Sequence, residues 1–531
     1  EKLFNAVESF YGRLLGRALR NRKKILAGLL AVFFASLALL RFVGTDLFPD
    51  VDTGELDIRV ALDESARLEE SEKVALRLEN LYSNLVPEKR DDYAFTGETE
   101  QGIGVVLGME EGPNIAESGA KLIDKEKRKR SAKEIAAVLR KEVKKIPGIE
   151  RMTVTATSMT SQVLMGGGKQ VEVEIIGHDM AVTDALARKV KEIFEKTPGA
   201  VDIRVSRKKP RAEVWVRMDR QKAAELGVST AAVASALRTA YYGNEATKFR
   251  DAGDDFDIFV RLDRENRSTL EGIGEIMVPS MRPDVGLVKL KNIARIEEAL
   301  GPVEINRKDR ERIVKVGADT YKRSLGEVKA DVEKELAKLD IPPGMSITFG
   351  GEVEEQQKTF RDLSTLLIVG IILVYMVMVS QFESLKTPFI IAFSVPFAFI
   401  GVIWAFYLTG VTLSIMSFMG IILLVGVVVN NAIVLVDYTN ILRARGLNLF
   451  EAIRQGGSNR LRPVLMTTIT TLFGMMPLAF SRGQGAEMWR PFGITVIAGL
   501  ALSTLVTLIL VPIIYSLFEE RAESKTRSHE K

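Results

Sequence analysis

Six apolar runs, each long enough to cross a lipid bilayer, limit what this 531-residue chain can fold into. A bilayer core of about 30 Å requires about 20 helical residues. In a soluble protein, runs of this length would have to be six buried helices nearly free of charge. Arg41 is the only ionisable residue inside the runs, and it lies near one end, where its long side chain can reach the interface. The sequence therefore predicts six transmembrane helices, at residues 25–43, 363–379, 389–408, 413–436, 463–480 and 492–517.

Basic residues are distributed unequally around these runs. Residues 2–24 carry seven of them and the loop at 443–462 carries five, whereas the loop at 409–412 has none and the loop at 481–490 has two. Because basic loops remain on the cytoplasmic side, both ends of the chain are predicted to be cytoplasmic. We therefore expect a multi-pass membrane protein with the long block at 44–362 outside the cytoplasm, in the periplasm if the cell has an outer membrane.

The two terminal segments are assigned to the cytoplasm. Within residues 1–24, apolar side chains recur at helical spacing from Leu3 to Leu15, which predicts an amphipathic helix lying on the surface of the lipid bilayer. A plain cytoplasmic extension of the first transmembrane helix is the alternative. Residues 518–531 form a cytoplasmic tail.

The long block repeats one order of strands and helices. The first copy starts with "ELDIRVAL" and has the order β-α-β-β-α-β, the split βαβ arrangement of ferredoxin-like domains. The second copy starts with "VEVEIIG" and is interrupted by an insert with strands of its own. The predicted fold class is a membrane α-helical bundle of six transmembrane helices plus α+β periplasmic subdomains. The predicted boundaries are 44–168 for the first copy, 169–210 and 302–362 for the second, 211–301 for the insert, and 363–517 for transmembrane helices 2 to 6.

The side-chain inventory excludes several functions. There are no cysteines and only two histidines, His178 and His529, so a thiolate or histidine metal site and a histidine-based catalytic dyad are not expected. The net charge of +4 is too small for this length to indicate a nucleic-acid partner. The glycines at 166–168 lack the strand–loop–helix context of a phosphate loop and are predicted to form a connector. The chain is predicted not to be an enzyme and to use no cofactor.

Three methionines leave one metal site open. Met152, Met159 and Met165 could bind a soft cation such as Cu(I), because thioethers suit that ion. The alternative is that they fill the apolar core, as methionine commonly does.

The fourth run contains a pair of amides in its middle. Asn430 and Asn431 lie in "GVVVNNAIVLVDY", and Asp437 follows at the predicted cytoplasmic boundary. Neighbouring helical side chains point about 100° apart, so the two amides face different surroundings, and Asn430 shares its face with Asp437. One interpretation is that the amides join helices by hydrogen bonds. The other is that they line a polar relay.

The fifth run favours the relay. Arg460, Thr467, Thr471 and Gly474 lie at offsets of 0, 7, 11 and 14, which places them in one stripe of a helix. The alternative is that the threonine hydroxyls bond to backbone carbonyls of their own helix. That alternative explains single threonines better than a stripe aligned with an arginine.

Five stretches spread along the whole chain carry a family resemblance: "LFPDVDTGELDIRV", "DRQKAAELGVST", "QFESLKTPFIIAFSVPFAFIG", "VVNNAIVLVDY" and "NRLRPVLMTTITTLFGMMPLAF". They resemble the resistance–nodulation–division (RND) efflux transporters, in the branch that exports hydrophobic and amphiphilic compounds. The resemblance covers only the second half of such a transporter.

The resemblance implies roles for domains and residues. The split βαβ units would be porter subdomains and the insert a docking domain. Asn430 stands where many members of the family have a relay lysine that pairs with two aspartates of the first half, and Arg460 and Thr467 match the family's arginine and threonine. Tyr93 and Phe95 are the main aromatic residues in the region of the substrate pocket.

The resemblance also implies partners and an energy source. We expect a half-transporter that works with a complementary N-terminal-half polypeptide in a trimeric assembly driven by the proton gradient, with a periplasmic adaptor and an outer-membrane channel. Hydrophobic or amphiphilic compounds are the expected substrates. A half of a metal-ion (Cu/Ag) exporter and a non-transporting scaffold or sensor are the alternatives.

Overall fold

The structure is a computed structural model that describes residues 2–99, 110–156, 168–301, 304–483 and 485–529. Two compact units are present. One comprises Glu1–Arg207 and Asn306–Lys531, and the other is Lys208–Ile305. The predicted insert at 211–301 therefore falls within a unit of its own.

Helices dominate both ends of the chain. Among the described residues, six helices have the length and apolar composition needed to cross a membrane, and each contains all or nearly all of one run predicted from the sequence. They follow an amphipathic helix in which Tyr11, Leu15 and Leu19 are buried, whereas Val7, Phe10 and Leu14 are exposed. The helices are α1 (Lys2–Arg20), α2 (Arg22–Leu39), α10 (Glu352–Phe382), α11 (Lys386–Ala392), α12 (Ser394–Thr409), α13 (Ile415–Ala444), α14 (Leu449–Phe480) and α15 (Ala486–His529).

Two helix boundaries differ from the sequence prediction. The third apolar run is broken between α11 and α12, close to Pro396, because a proline has no backbone N–H to donate to the preceding turn. The fifth helix begins at Leu449 and not at Pro463, because the Asn448 side chain caps it by accepting from the Glu451 N–H. Most of the predicted loop at 443–462 is therefore helical, and Pro463 lies inside α14.

The first split βαβ unit forms a four-stranded sheet in the order β2-β3-β1-β4. Apolar side chains of β1 point to one face, where Leu56, Ile58 and Val60 are buried against the two helices. The opposite face of the sheet therefore carries the alternate, polar residues. The elements are β1 (Glu55–Ala61), α3 (Leu68–Leu85), β2 (Lys89–Gly97), β3 (Gly112–Leu122), α4 (Ala132–Val143) and β4 (Arg151–Thr155).

The second unit repeats this order on either side of the insert. In its sheet, strand Glu311–Thr320 pairs with Val171–Ile176 on one side. On the other side it pairs with two shorter strands, Asn306–Lys308 and Ala200–Val205. The second helix of each unit starts with the same capping box, Ser131 with Glu134 and Ser324 with Glu327, in which side chain and backbone satisfy each other. The elements are β5 (Val171–Ile176), α5 (Met180–Lys196), β6 (Ala200–Val205), β13 (Asn306–Lys308), β14 (Glu311–Thr320), α9 (Leu325–Leu336) and β15 (Ser346–Gly350).

The unit Lys208–Ile305 has its own small core around Leu290 and Ile293. Its first and last strands pair along their whole length, so the insert enters and leaves at one place. Its elements are β7 (Arg211–Met218), α6 (Arg220–Glu225), α7 (Thr230–Leu237), β8 (Asn244–Asp251), β9 (Asp254–Val260), α8 (Leu270–Gly274), β10 (Met277–Pro279), β11 (Leu287–Lys289) and β12 (Ala294–Gly301).

Candidate functional site

The two adjacent amides of α13 have different surroundings. Asn431 is buried, and its Nδ2 donates to Thr468 Oγ1 at 3.3 Å and to Thr504 Oγ1 at 3.5 Å. The two threonine hydroxyls are 3.2 Å apart. Asn431 therefore joins α13 to α14 and α15 within this chain, whereas Asn430 is exposed.

The stripe on α14 is present, but its hydroxyls are satisfied by their own helix. Thr467 Oγ1 donates to the Val464 carbonyl at 3.0 Å, and Thr471 Oγ1 donates to the Thr467 carbonyl at 2.9 Å. Thr467 is exposed and Thr471 half-buried. These hydroxyls can still accept hydrogen bonds from a group that approaches from outside the chain.

Arg460 lies at one end of this stripe. Its guanidinium is 4.5 Å from the centre of the Tyr438 ring, a cation–π contact between α14 and α13. Its Nε is buried without a hydrogen-bond partner among the described residues. Asp437 is exposed on α13, as is Asn430. We use the name polar seam for Asn430, Asp437, Arg460, Thr467 and Thr471.

Thr468 and Thr504 complete the cluster around Asn431, and the sequence analysis missed both. Thr468 is next to Thr467 but points about 100° away, into the bundle. Thr504 donates to the Leu500 carbonyl of its own helix at 2.8 Å. The sequence did contain a signal for this cluster, namely a threonine among apolar residues in the middle of both α14 and α15.

The two aromatic residues proposed for a substrate pocket lie together on β2. The rings of Tyr93 and Phe95 are stacked, with centroids 6.2 Å apart and planes 9° apart, and both side chains are partly exposed. Gly119 makes this possible, because a Cβ at that position would lie 2.4 Å from the Tyr93 ring. The aromatic pair therefore covers the open face of the first sheet.

A carboxylate pair that the sequence analysis did not identify lies on the same face. Glu117 is fully buried and its Oε2 is 2.6 Å from Arg59 Nε, while Asp57 Oδ2 is 3.6 Å from Arg59 Nη2. Burial, and next the charge of Glu117, raises the pKa of Asp57 to about 7. As carboxylates, Asp57 Oδ1 and Glu117 Oε1 have no donor among the described residues. A proton or a bound cation would satisfy them.

A cavity of about 290 Å³ separates the two split βαβ units, and neither Asp57 nor Glu117 is among its lining residues. Arg59 lines the cavity from the first unit. Arg140 of α4 holds Asp202 of β6 through two hydrogen bonds, at 2.8 and 2.6 Å, and Arg204 of β6 pairs with Glu110. In this structure, ion pairs therefore join the first and second split βαβ units at the cavity.

Metal-ligand geometry is incomplete in the parts of the chain that are described. No group of three or more His, Cys, Asp or Glu side chains is arranged there to hold a metal ion. Met152 lines the cavity, whereas Met159, Met165 and the first two glycines of the predicted connector lie outside the described residues.

A short extended segment at 44–47 joins the helical bundle to the second βαβ unit. The Asp46 N–H donates to the Leu413 carbonyl at 3.1 Å, immediately before α13. The Asp46 carboxylate accepts from the Leu325 N–H at 2.8 Å, at the start of α9. Burial raises the pKa of Asp46, although both hydrogen bonds to its carboxylate, from Leu325 and from the Thr412 hydroxyl, lower it. A shift of α13 would therefore be transmitted through Asp46 to the start of α9 in the second split βαβ unit.

Comparisons with known proteins agree with this architecture. Residues 1–519 match the model of the AcrB/AcrD/AcrF family. The chain is 28% identical over 529 residues to the cobalt-zinc-cadmium resistance protein CzcA of Cupriavidus metallidurans, and equally to the cation efflux system protein CzcA of an Alcaligenes species. Each match covers 98% of this chain and 49% of the relative. The chain thus spans about half the length of these relatives.

Solved structures show the same relationship. One crystal form of a heavy metal efflux pump matches with a TM-score of 0.78 and 26% identity, over 98% of this chain and 52% of that pump. A second crystal form matches with a TM-score of 0.77 and 24% identity, over 97% of this chain and 51% of that pump, and supports the fold. The chain belongs to the AcrB/AcrD/AcrF family of RND efflux transporters, whose members are transporters and not enzymes, and it corresponds to about half of one.

Proposed function

We propose that this chain is one half of a proton-driven exporter in the bacterial inner membrane and that its substrate is a divalent metal cation. The six apolar helices cross the membrane, both ends are cytoplasmic, and the two βαβ units act as porter subdomains in the periplasm. The insert serves as a docking domain. Trimers of the two halves, a periplasmic adaptor and an outer-membrane channel complete the system.

The exposed polar seam carries the half-transporter proposal. Among the described residues, Asn430, Arg460, Thr467 and Thr471 lie on membrane helices without a carboxylate partner inside the bundle. The six apolar runs contain no Asp, Glu, Lys or His. A proton-driven cycle requires a buried acid whose charged and neutral forms favour different helix arrangements. We therefore place that acid in the complementary polypeptide, opposite Asn430.

The carboxylate pair supports a cation as substrate. Asp57 Oδ1 and Glu117 Oε1 are buried without a donor among the described residues, and Arg59, which contacts both carboxylates, lines the cavity. Carboxylate oxygens suit divalent cations better than Cu(I). The relatives named above are a metal resistance protein and a cation efflux protein. These observations favour a metal ion over the hydrophobic or amphiphilic compounds expected from the sequence. They favour a zinc-like ion over the Cu/Ag alternative.

Reconstitution into liposomes tests both parts. The chain alone should move neither Zn²⁺ nor an amphiphilic dye when a pH gradient is imposed. Addition of a six-helix partner with an acidic pair in its membrane span should produce Zn²⁺ transport. Robust proton-driven transport by the isolated chain would contradict the half-transporter proposal. A complex that forms but transports neither compound would favour the scaffold or sensor.

The substrate assignment has its own variant. Glu117→Gln should reduce Zn²⁺ transport by the complex at least about tenfold, since a neutral amide is a poor ligand for the ion. Glu174→Gln in the second sheet is the matched control, because Glu174 is also buried but both of its oxygens have lysine partners, Lys308 and Lys315. Dye export without Zn²⁺ transport would restore the amphiphile assignment and leave the half-transporter proposal intact.

A further inference from the structure

The amphipathic helix α1 is fixed to the helical bundle at one crossing point. Tyr11, Leu15 and Leu19 are buried in the bundle core, and Tyr11 Oη donates to the Leu508 carbonyl at 2.8 Å. A Cβ on Gly457 of α14 would lie 2.8 Å from Tyr11 Oη, so the two helices touch through glycine. This close contact therefore fixes the position of α1 relative to α14.

A groove of about 690 Å³ runs along that side. Gly12 and Gly16 of α1 leave room for it, and its rim carries Arg13, Arg17 and Arg20 of α1. Arg454 of α14 lies on the other rim. Four guanidinium groups from two helices therefore surround one open space, with Glu8 as the only acid in its lining.

Neighbouring arginines have carboxylate partners, but these four do not. Arg22 pairs with Glu520 at 2.7 Å and Arg443 pairs with Glu519 at 2.5 Å. In the described part of the chain no salt bridge forms to any of the four groove arginines, and the contact of Arg13 is its Nε donating to the Ser9 carbonyl at 3.3 Å. The groove thus has about three positive charges in excess, from four arginines and one glutamate.

The charge and its position identify the ligand chemistry. Guanidinium groups match phosphate oxygens with paired N–H donors, and basic pockets beside membrane helices on the cytoplasmic side suit anionic headgroups. Val7, Phe10 and Leu14 of the same helix are exposed and apolar, which gives acyl chains a surface next to the arginine row. We propose that this groove binds the phosphate of an anionic phospholipid headgroup and so anchors α1 to the inner surface of the membrane. The inference rests on the proposed membrane topology and is independent of the substrate and of the complementary half.

Calorimetric titration of the purified chain in neutral detergent tests the proposal with three probes. These are dihexanoyl-phosphatidylglycerol, dihexanoyl-phosphatidylcholine and inorganic phosphate. Phosphatidylglycerol should bind at least about tenfold more tightly than phosphatidylcholine. Inorganic phosphate should compete only weakly, because it lacks the acyl chains. Equal binding of the two lipids would overturn the proposal, and phosphate binding as tight as phosphatidylglycerol would assign the groove to a soluble anion.

Matched variants separate the groove from general charge. Arg17→Gln with Arg454→Gln should weaken phosphatidylglycerol binding about 10- to 30-fold, since each basic residue near an anionic headgroup contributes about 1 kcal/mol. Lys23→Gln with Arg445→Gln removes the same charge outside the groove and should change binding less than about threefold. Equal losses in both pairs would refute a built site. The melting temperature without lipid should be unchanged in both double variants, because all four side chains are exposed.

Discussion

Replacing Asn430 and Asn431 separately by leucine should show that the two amides have different roles. Asn431 should contribute to the stability of the isolated chain, and Asn430 to transport by the complex. In the isolated chain Asn431→Leu removes two long contacts, at 3.3 and 3.5 Å, but leaves Thr468 and Thr504 bonded to each other at 3.2 Å. Interhelical hydrogen bonds in membranes average about 0.6 kcal/mol. The expected loss in the free energy of unfolding is therefore about 1 kcal/mol. For Asn430→Leu, at an exposed position, the change should stay below about 0.5 kcal/mol.

For transport by the complex with the complementary half, the larger effect is expected from Asn430→Leu and the smaller from Asn431→Leu. If Asn430 donates to a carboxylate there, its loss removes a hydrogen bond to a charged group, worth about 1.5–3 kcal/mol. This corresponds to a proton-driven flux that is slower by about 10- to 160-fold. Asn431→Leu should leave the flux within about threefold, because its partners are within this chain.

Two measurements check this pair of expectations. Unfolding of the isolated chain by a denaturing detergent, followed by circular dichroism, gives the stability change, and ion flux into proteoliposomes gives the coupling. The reasoning fails if Asn430→Leu destabilises the isolated chain by more than about 1 kcal/mol. It fails equally if Asn431→Leu abolishes flux at unchanged stability.

Three further predictions concern the seam, the topology and an ion pair of the first βαβ unit. Thr467→Val with Thr471→Val should slow flux in the complex, whereas Thr470→Val, a threonine with the same bond to its own backbone but off the stripe, should not; equal effects would remove the stripe from the mechanism. Because the chain has no cysteine, single cysteines at Asp254 and Asn448 should react with an impermeant reagent from the periplasmic and cytoplasmic sides respectively, and equal protection of both would reject the topology. The hydrogen bond from Arg130 lowers the pKa of Glu88 below its usual 4.5, so this pair stabilises the fold above that pH and the gain is lost as the pH falls through the lowered value. The melting temperature of Arg130→Met should therefore fall less between pH 5 and 3 than that of the parent chain, and a fall as steep as the parent's, or as that of Arg77→Met, would contradict the assignment.

Patterns within single segments predicted most of the fold. The six apolar runs, the amphipathic helix and the two β-α-β-β-α-β orders depend on periodicity and length, which local sequence carries directly. The start of α14 was missed because Pro463 and five basic residues suggested a loop. The helix begins at the Asn448 cap and continues through Gly456 and Gly457, which pack closely against Thr439 and Tyr11 of neighbouring helices.

The site residues were harder to predict because their surroundings come from distant segments. Asp57 and Glu117 are 60 positions apart, and only the register of β1 against β3 brings Glu117 opposite Arg59. The α14 threonines lie in the predicted stripe, but a helical pattern cannot show whether a hydroxyl bonds to its own backbone or to a neighbour. Similarly, nothing in "NN" shows which amide faces the bundle.

The distribution of exposed surface indicates where the complementary half packs. Almost none of the most apolar stretch of α2 or α10 is buried, and little of α14, whereas more than half of the third, fourth and sixth spans is. The exposed side chains in the middle of α10 are apolar, among them Ile368, Ile372 and Met376, and suit lipid. The exposed side of α14 carries apolar residues together with two threonines, Thr467 of the polar seam and Thr470. Lipid tails offer no hydrogen bonds, and polar groups on membrane helices are placed where another protein segment can meet them. The complementary half should therefore contact α14 and the adjoining side of α13, and α10 should remain against lipid.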